Sequence, residues 1–220
     1  MYNITDIKHA LYINLESRPD RNQHIIQELE IIGIQATRFN AVKLKNGAAG
    51  CSMSHLKCLQ MAKANKWDHV LIMEDDIKFT DPELFTKQLN TFFTTMPDWD
   101  VVLFAGNNVP PYYRPNDSCI KVTHCRTTTG YLVKSNYYDT LIDNIKEGLK
   151  LLIEHPLKRA NYAIDMFWNP LQLRDKWYLI IPLTVIQSEG YSDIEERVRN
   201  YSKVMLDVDK PWLRGTTVTL

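Results

Sequence analysis

Apolar residues along the chain follow two different periods. Short, nearly continuous apolar runs predict strands that are buried on both faces, and the clearest are residues 10–15, 70–73 and 101–105. Apolar residues at helical spacing predict helices over residues 25–32, 51–66, 82–95 and 137–153. Because strand and helix patterns alternate, we expect an α/β fold with a mixed, mostly parallel sheet flanked by helices.

Weaker patterns complete the predicted elements. Short strands are predicted at residues 35–42, 119–124, 128–133 and 177–183, and the strand at 119–124 is expected at a sheet edge. Loops are expected over residues 43–50 and 109–118. Residues 161–173 are helical or irregular, and the chain beyond residue 183 has no clear period. The sequence contains no linker that would divide it, so residues 1–220 are expected to form one domain.

The strongest chemical signal is a cluster of three carboxylates where the central strand ends. The run Val70–Met73 leads directly into Glu74, Asp75 and Asp76. Charge at the end of a buried strand is costly unless it is paired or bound to a cation, and α/β sheets bind ligands at this end of their strands. Glu74 and Asp76 point to the same side of an extended chain and are the expected ligands of a divalent cation. Alternatively, these acids only precede a helix that starts at Pro82.

Two further segments carry candidate binding residues. Arg18 and Arg21 lie between the first strand and the first helix, where a helix N-terminus and two guanidinium groups favour a phosphate. A solvated basic turn is the alternative. Ser54 and His55 lie on a predicted helix and either face a pocket or serve as a cap and a core-edge histidine. The segment around Ser52 lacks the closing glycine of a nucleophile elbow, so a serine hydrolase is not expected.

One carboxylate lies in a strongly apolar setting. Asp165 is flanked by aromatic and aliphatic residues, where a raised pKa would suit a general base. A helix N-cap is the alternative interpretation. Glu189 and Asp193 lie in a Gly-containing stretch that is either part of a site or a surface turn.

The four cysteines include two on a predicted helix with a histidine between them. Cys51, His55 and Cys58 share one helical face, so a zinc site has to be considered. Because the sequence indicates no fourth ligand, we expect buried thiols instead.

Charge and hydropathy exclude several classes of function. Lys+Arg and Asp+Glu are equal at 26 each, which argues against broad binding to nucleic acid or to an anionic membrane. The first residues have no apolar signal core, and no run has the length of a membrane span. The chain as given is expected to be soluble and cytoplasmic.

The order and spacing of several short segments resemble glycosyltransferase family 25, which includes bacterial lipooligosaccharide and collagen hydroxylysine galactosyltransferases. These segments are Tyr12–Leu15, Arg18–Arg21, Phe39–Val42, Gly50–Cys51, Ser54–Leu56, Leu71–Asp76, Gly130–Leu132, Asp165 and Ser192–Ile194. The resemblance covers about residues 10–195 and leaves 196–220 as a C-terminal extension. It departs at Ala48–Ala49, where the family usually places a glutamate or another polar residue.

The resemblance implies a GT-A-type domain with a Rossmann-like nucleotide-binding half and a divalent cation, usually Mn²⁺. It also implies a UDP-sugar donor, commonly UDP-galactose with UDP-glucose as the alternative, and inversion at the anomeric carbon. Asp76 and Glu74 would then hold the metal. The donor contacts would be Asn14, Leu15, Arg18, Arg21, Ser54, His55, Glu74 and Asp75. Asp165 is the first choice for the catalytic base, and Asp193 and Glu189 are the second.

Two other functions are considered beside the transferase. A sugar nucleotidyltransferase would carry a Gly-rich loop after its first strand, and residues 14–18 contain no glycine. A binding-only member would have less need of the acidic cluster. The acceptor, a glycan or a hydroxylysine-type protein, is left open by the sequence. The aromatic loop 110–114 fits stacking on an acceptor sugar or a subunit contact, so an oligomer stays open as well.

Overall fold

The computed structural model describes residues 1, 3–192 and 197–210. Its strands form one central seven-stranded sheet and three two-stranded sheets. The strands are β1 (Ala10–Asn14), β2 (Thr37–Asn40), β3 (His69–Glu74), β4 (Ile77–Phe79), β5 (Val101–Leu103), β6 (Asn107–Asn108), β7 (Cys119–Lys121), β8 (Cys125–Arg126), β9 (Gly130–Lys134), β10 (Trp177–Ile180), β11 (Val185–Gln187), β12 (Gly190–Ser192) and β13 (Arg197–Arg199). The helices are α1 (Pro19–Ile32), α2 (Gly47–Ala64), α3 (Pro82–Thr95), α4 (Tyr138–Glu154), α5 (Arg159–Tyr162), α6 (Ile164–Phe167), α7 (Asn169–Arg174) and α8 (Ser202–Met205), with 3₁₀ turns at Ile4–Asp6 and Ser135–Tyr137.

The strand order in the central sheet is β2-β1-β3-β9-β5-β10-β7. β1 pairs in parallel with β2 and β3, and β5 pairs in parallel with β10. β9 lies antiparallel between β3 and β5, and β7 runs antiparallel to β10 at one edge. The sheet is therefore mixed and mostly parallel, as predicted, and the α/β fold is confirmed.

The central strand β3 is buried on both faces. Val70 and Ile72 pack in a core with α2 and α4, whereas Leu71 and Met73 pack in a second core with α1 and α3. All four side chains are fully buried, and burial of an aliphatic side chain of this size contributes about 1.5–3 kcal/mol to folding. Packing on both faces of the sheet therefore fixes the position of Glu74, the last residue of β3.

Most predicted elements are present, and several ends are shifted. α3 spans Pro82–Thr95 as predicted, with the carboxylate of Asp81 accepting from the Leu84 N–H at 3.0 Å. α1 ends at Gly33, which adopts a left-handed φ of 69°. The predicted loop over residues 43–50 is wrong in its second half, because Asn46 caps α2 and the helix begins at Gly47.

The predictions were less accurate toward the C-terminus. Residues 161–173, predicted as helical or irregular, fall on three short helices, α5 to α7, with single-residue breaks at 163 and 168. Beyond residue 183, where the sequence has no clear period, β11 pairs antiparallel with β4 and β12 pairs with β13. Strands of three residues are too short for a period of two to be recognised. No helix in the described ranges combines the length and apolar content needed to cross a bilayer.

Residues 197–210, part of the expected C-terminal extension, pack against the rest of the fold. Met205 is fully buried, and its sulfur accepts from the Gln187 N–H at 3.4 Å, which joins α8 to β11. Lys210 is also buried, and its ammonium donates to the carbonyls of Asn108 and Asp207. This segment therefore covers β11 from one side.

Gly50 and Ser54 join helix α2 to the loop that precedes it. A Cβ added at Gly50 would lie 2.6 Å from the carbonyl oxygen of Val42, so only glycine allows this close approach. The Ser54 hydroxyl accepts from the Val42 N–H and donates to the Gly50 carbonyl, both at 2.8 Å. Together these contacts fix the loop over the start of the helix.

We expect Gly50→Ala to lower the free energy of unfolding by roughly 1–3 kcal/mol, because the new methyl group must displace backbone. Gly190→Ala is the matched control, since a Cβ there meets no atom within 4 Å, and its change should stay below about 0.5 kcal/mol. Urea denaturation followed by circular dichroism measures both. Equal stability of the two variants would contradict the close approach at Gly50.

Candidate active site

The acidic cluster lies where the central strand turns into β4. Glu74 ends β3, and Asp75 and Asp76 form the turn that leads to Ile77. The Glu74 N–H donates to the carbonyl of Thr129 at 2.9 Å, and the Asp76 carbonyl accepts from the Ser188 N–H at 2.7 Å. The backbone of the cluster is thus held from both sides.

Arg21, in the first turns of α1, pairs with two of the three carboxylates. Its Nη1 lies 2.9 Å from Asp75 Oδ1 and 3.3 Å from Asp76 Oδ2. The buried amide of Asn14 donates to Asp75 Oδ2 at 2.7 Å and to the Arg18 carbonyl at 3.1 Å. Burial raises the pKa of Asp75, although Arg21 and Asn14 oppose the shift. Asn14 therefore connects the end of β1 to the acidic cluster.

One carboxylate oxygen of Asp76, Oδ1, is buried without a hydrogen-bond partner among the described residues. Burial and the neighbouring charge of Glu74 raise the pKa of Asp76 to about 7, against the opposing effect of Arg21. A buried carboxylate oxygen of this kind, beside two further acids, is a donor set that suits a hard divalent cation. The residues present therefore fit the cation that the sequence predicted.

Glu74 is the most strongly held of the three acids. Its Oε1 accepts from the Thr128 hydroxyl at 2.6 Å and lies 3.2 Å from His55 Nε2 and 3.5 Å from Cys51 Sγ. Gln187 Nε2 lies 3.5 Å from Oε2. Burial raises the pKa of Glu74, but the contacts with His55, Thr128 and Cys51 outweigh it and leave the pKa lowered. Glu74 is accordingly ionised at neutral pH.

His55 connects the acidic cluster to the core. Its imidazole is fully buried, with Nδ1 2.9 Å from the hydroxyl of Tyr131 and Nε2 facing Glu74. Tyr131 lies on β9 and has a pKa raised well above its ordinary value by burial. Both ring nitrogens of His55 are thus engaged within the chain.

The first of two cavities at this end of the sheet has a volume of about 430 Å³. It is bounded by the first turn of α1, the loop after β2, the start of α2 and the acidic cluster. The predicted site residues that line it are Leu15, Arg18, Arg21, Ser54, His55, Glu74, Asp75 and Asp76. Lys43 and Lys45 add basic side chains to its wall, so the cavity is lined by both acids and cations.

The second cavity, of about 380 Å³, lies on the other side of Glu74. Its wall includes Asp165, Arg126, Arg159 and Tyr201. Three residues line both cavities, namely Cys51, Glu74 and Gln187. The two cavities therefore meet at Glu74, as two binding chambers with one shared wall would.

Asp165 faces the second cavity from the start of α6 and is held by a strained residue. Its Oδ2 accepts from the Thr127 N–H at 3.1 Å. Burial raises the pKa of Asp165, while this hydrogen bond and the nearby Arg126 oppose the shift. Thr127 has a φ of 78°, which is rare for a β-branched residue, and such strain is concentrated at functional sites.

Some predicted site residues lie elsewhere. Within the described ranges, Asn14 and Glu189 are outside the walls of both cavities, and the exposed Glu189 accepts from Asn200 Nδ2 at 2.8 Å. Ser54 lines the first cavity, but its hydroxyl is used to join the loop to α2. Asp193 lies outside the described residues.

The sequence analysis missed several residues of the site. They are Thr128 and Gln187 beside Glu74, Lys43 and Lys45 in the first cavity, and Arg126, Thr127 and Arg159 in the second. All are common polar residues on short strands, in loops or, for Arg159, at the start of the short helix α5, where no local pattern sets them apart. The positions of Gln187 and Thr128, for example, follow from the pairing of β4 with β11 and of β9 with β3.

Comparisons with known proteins identify the family of the chain. The family model described as glycosyltransferase family 25 (LPS biosynthesis protein) matches residues 43–168, more than half of the chain. A glycosyltransferase 25 family member of Drosophila pseudoobscura pseudoobscura is 25% identical over 195 residues, covering 73% of this chain and 29% of the relative. A family member of Aedes aegypti is 23% identical, covering 91% of this chain and 40% of the relative. The chain thus spans well under half the length of these relatives.

Solved structures with partial similarity are also found. A glycosyltransferase involved in glycosylation of the major capsid of PBCV-1 has 14% identity and a TM-score of 0.45, covering 78% of this chain and 80% of that chain. A mutant Drosophila β-1,4-galactosyltransferase 7, solved with manganese, UDP-Gal and xylobiose, has 12% identity and a TM-score of 0.41, covering 89% of this chain and 72% of that chain. The match to the family model carries the assignment: the chain belongs to glycosyltransferase family 25.

Proposed function

We propose that the chain transfers a hexose from a UDP-sugar to a hydroxyl group of a glycan or of a hydroxylysine-type protein acceptor, with inversion at the anomeric carbon. Galactose is the first choice of sugar and glucose the second. The observation that carries this proposal is the unpaired, buried Oδ1 of Asp76 at the wall of a cavity that also presents basic side chains.

The first cavity suits a nucleoside diphosphate. Its volume of about 430 Å³ lies within the range of small-molecule sites. Asp76, with Glu74 as second ligand, would hold a divalent cation, usually Mn²⁺ in this family, which when bound neutralises the charge that develops on the departing diphosphate. Arg18, Lys43 and Lys45 supply cationic groups to the same cavity.

The second cavity is the proposed acceptor chamber. Asp165 is the candidate base there, because its carboxylate faces the cavity and has a raised pKa. As the acceptor oxygen forms its bond to the anomeric carbon, Asp165 takes the hydroxyl proton. The bond from that carbon to the diphosphate breaks, and UDP leaves with the electron pair. The shared wall at Glu74 supports this arrangement, since donor and acceptor must meet.

The binding-only alternative is less well supported. A module that only binds glycan does not need a second chamber with a carboxylate of raised pKa. The nucleotidyltransferase alternative also loses support. Residues 14–18, which lead from β1 directly into α1, contain no glycine, whereas a nucleotidyltransferase would carry a Gly-rich loop there.

We expect the purified chain to release UDP from one UDP-sugar in the presence of Mn²⁺ and to lose this activity with a chelator. Slow transfer to water makes the assay independent of the acceptor. A panel of UDP-galactose, UDP-glucose and UDP-N-acetylglucosamine, read by a coupled UDP assay, identifies the donor. UDP binding without release from any donor would favour the binding-only alternative.

Asp76→Asn should lower Mn²⁺-dependent turnover at least about 100-fold, because it removes the charge from the proposed metal ligand. The fold should persist, since Asn is of the same size. Asp143→Asn is the matched control, on the exposed face of α4, and should retain full activity. Normal turnover of Asp76→Asn, with Mn²⁺ affinity unchanged by calorimetry, would refute the metal assignment.

Asp165→Asn should lower kcat by about 10²–10⁴-fold while the Kd for UDP changes less than about twofold. The amide oxygen of Asn can still accept from the Thr127 N–H, so the geometry is retained and only the base is lost. Stopped assays give kcat, and calorimetry gives the Kd. A large loss of UDP affinity would instead place Asp165 in the donor site.

A further inference from the structure

A thiol, an imidazole and a carboxylate converge beside the proposed cation site. Cys51 and His55 are one turn apart on α2 and face Glu74 at the end of β3. Cys51 Sγ, His55 Nε2 and a carboxylate oxygen of Glu74 all lie within 4.8 Å of one another. The shortest separations are 3.2 Å from His55 Nε2 and 3.5 Å from Cys51 Sγ, each to Glu74 Oε1.

Two of the three separations, those to Glu74 Oε1, match the distances between ligands of one tetrahedral zinc ion. Zinc binds nitrogen at about 2.0–2.1 Å, carboxylate oxygen at about 2.0–2.2 Å and sulfur at about 2.3 Å, which sets neighbouring ligand atoms about 3.3–3.7 Å apart. The observed 3.2 Å and 3.5 Å lie at or within about 0.1 Å of that range. The third pair, Cys51 and His55, lies within 4.8 Å, so it would need to approach by at most about 1.5 Å to share an ion.

The supporting contacts are those that zinc ligands usually have. His55 Nδ1 lies 2.9 Å from the hydroxyl of Tyr131, and the Thr128 hydroxyl donates to Glu74 at 2.6 Å. Contacts of this kind fix the orientation of a ligating imidazole and carboxylate. The two ligands thus already have the partners that would orient them toward a metal.

A fourth coordination position would be open to solvent. Cys51 and Glu74 line both cavities, and His55 lines the first. Zinc sites with three protein ligands and one open position are the type that binds water or a small ligand. The ligands of this site therefore face space in which a fourth ligand can bind.

We propose that Cys51, His55 and Glu74 form a zinc site that shares Glu74 with the hard-cation site proposed at Asp76. Glu74 Oε1 contacts the thiol and the imidazole, so the cation at Asp76 would use Oε2. Thiolate and imidazole favour zinc, whereas Mg²⁺ and Mn²⁺ favour carboxylate and water. The sequence pattern had paired Cys51 and His55 with Cys58, but Cys58 is fully buried and is not part of the cluster. Glu74, 19 positions beyond His55, takes its place.

Titration of the metal-stripped full chain with Co²⁺ tests the site without any turnover. A bound thiolate produces a sulfur-to-cobalt charge-transfer band, which we expect to saturate at one equivalent and to disappear when Zn²⁺ is added. Excess Mg²⁺ should leave the band unchanged. Absence of the band, or its removal by Mg²⁺, would overturn the proposal. The result does not depend on the sugar-transfer function.

Two cysteine variants assign the ligand. Cys51→Ser should abolish the band, whereas the matched control Cys58→Ala, on the same helix, should keep it with a Co²⁺ affinity within about threefold of the unmodified chain. Retention of the band in Cys51→Ser together with its loss in Cys58→Ala would overturn the proposal. X-ray absorption of the zinc-loaded unmodified chain gives an answer even where Cys51→Ser does not fold. We expect one sulfur at about 2.3 Å together with nitrogen and oxygen ligands, and a metal shell without sulfur would refute the proposal.

Discussion

Three carboxylates at the end of a buried strand repel one another, and the rest of the site is arranged around that repulsion. Arg21 is the guanidinium that contacts two of them directly. Asn14 and Thr128 supply neutral donors to Asp75 and Glu74. This leaves one buried oxygen of Asp76 without a partner among the described residues. Burial without full compensation is unfavourable unless a cation binds, and the chemistry of the acidic cluster therefore fits a divalent cation.

The three acids differ because their surroundings differ. Contacts with His55, Thr128 and Cys51 lower the pKa of Glu74, whereas burial raises the pKa of Asp76 to about 7. Glu74 is therefore held in its ionised form, whereas Asp76 is the more readily protonated of the two. Acids that lie close together but differ in pKa allow one short segment to present both an ionised and a protonatable carboxylate near neutral pH.

Strong local patterns made the fold and the acidic cluster predictable. The apolar run of β3 and the capped helix after Asp81 are visible in the sequence. The partners of Glu74 are not, because Thr128 and Gln187 are joined to it by the pairing of distant strands. The sequence predicted buried thiols, and Cys58, Cys119 and Cys125 are buried. The approach of Glu74 to Cys51 and His55 was also missed, because Glu74 lies on a strand and not on the helix. Tertiary contacts decide such positions, and spacing along one element cannot reveal them.

The part of the chain that the family model matches, residues 43–168, contains only some of the site. Arg21 precedes it, and Gln187 and the buried Met205 that supports β11 follow it. The acidic cluster thus lies inside the matched segment, whereas residues that contact it from earlier and later in the chain lie outside that segment. Arg21 lines the first cavity and Gln187 lines both, so residues outside the matched segment help to shape both cavities.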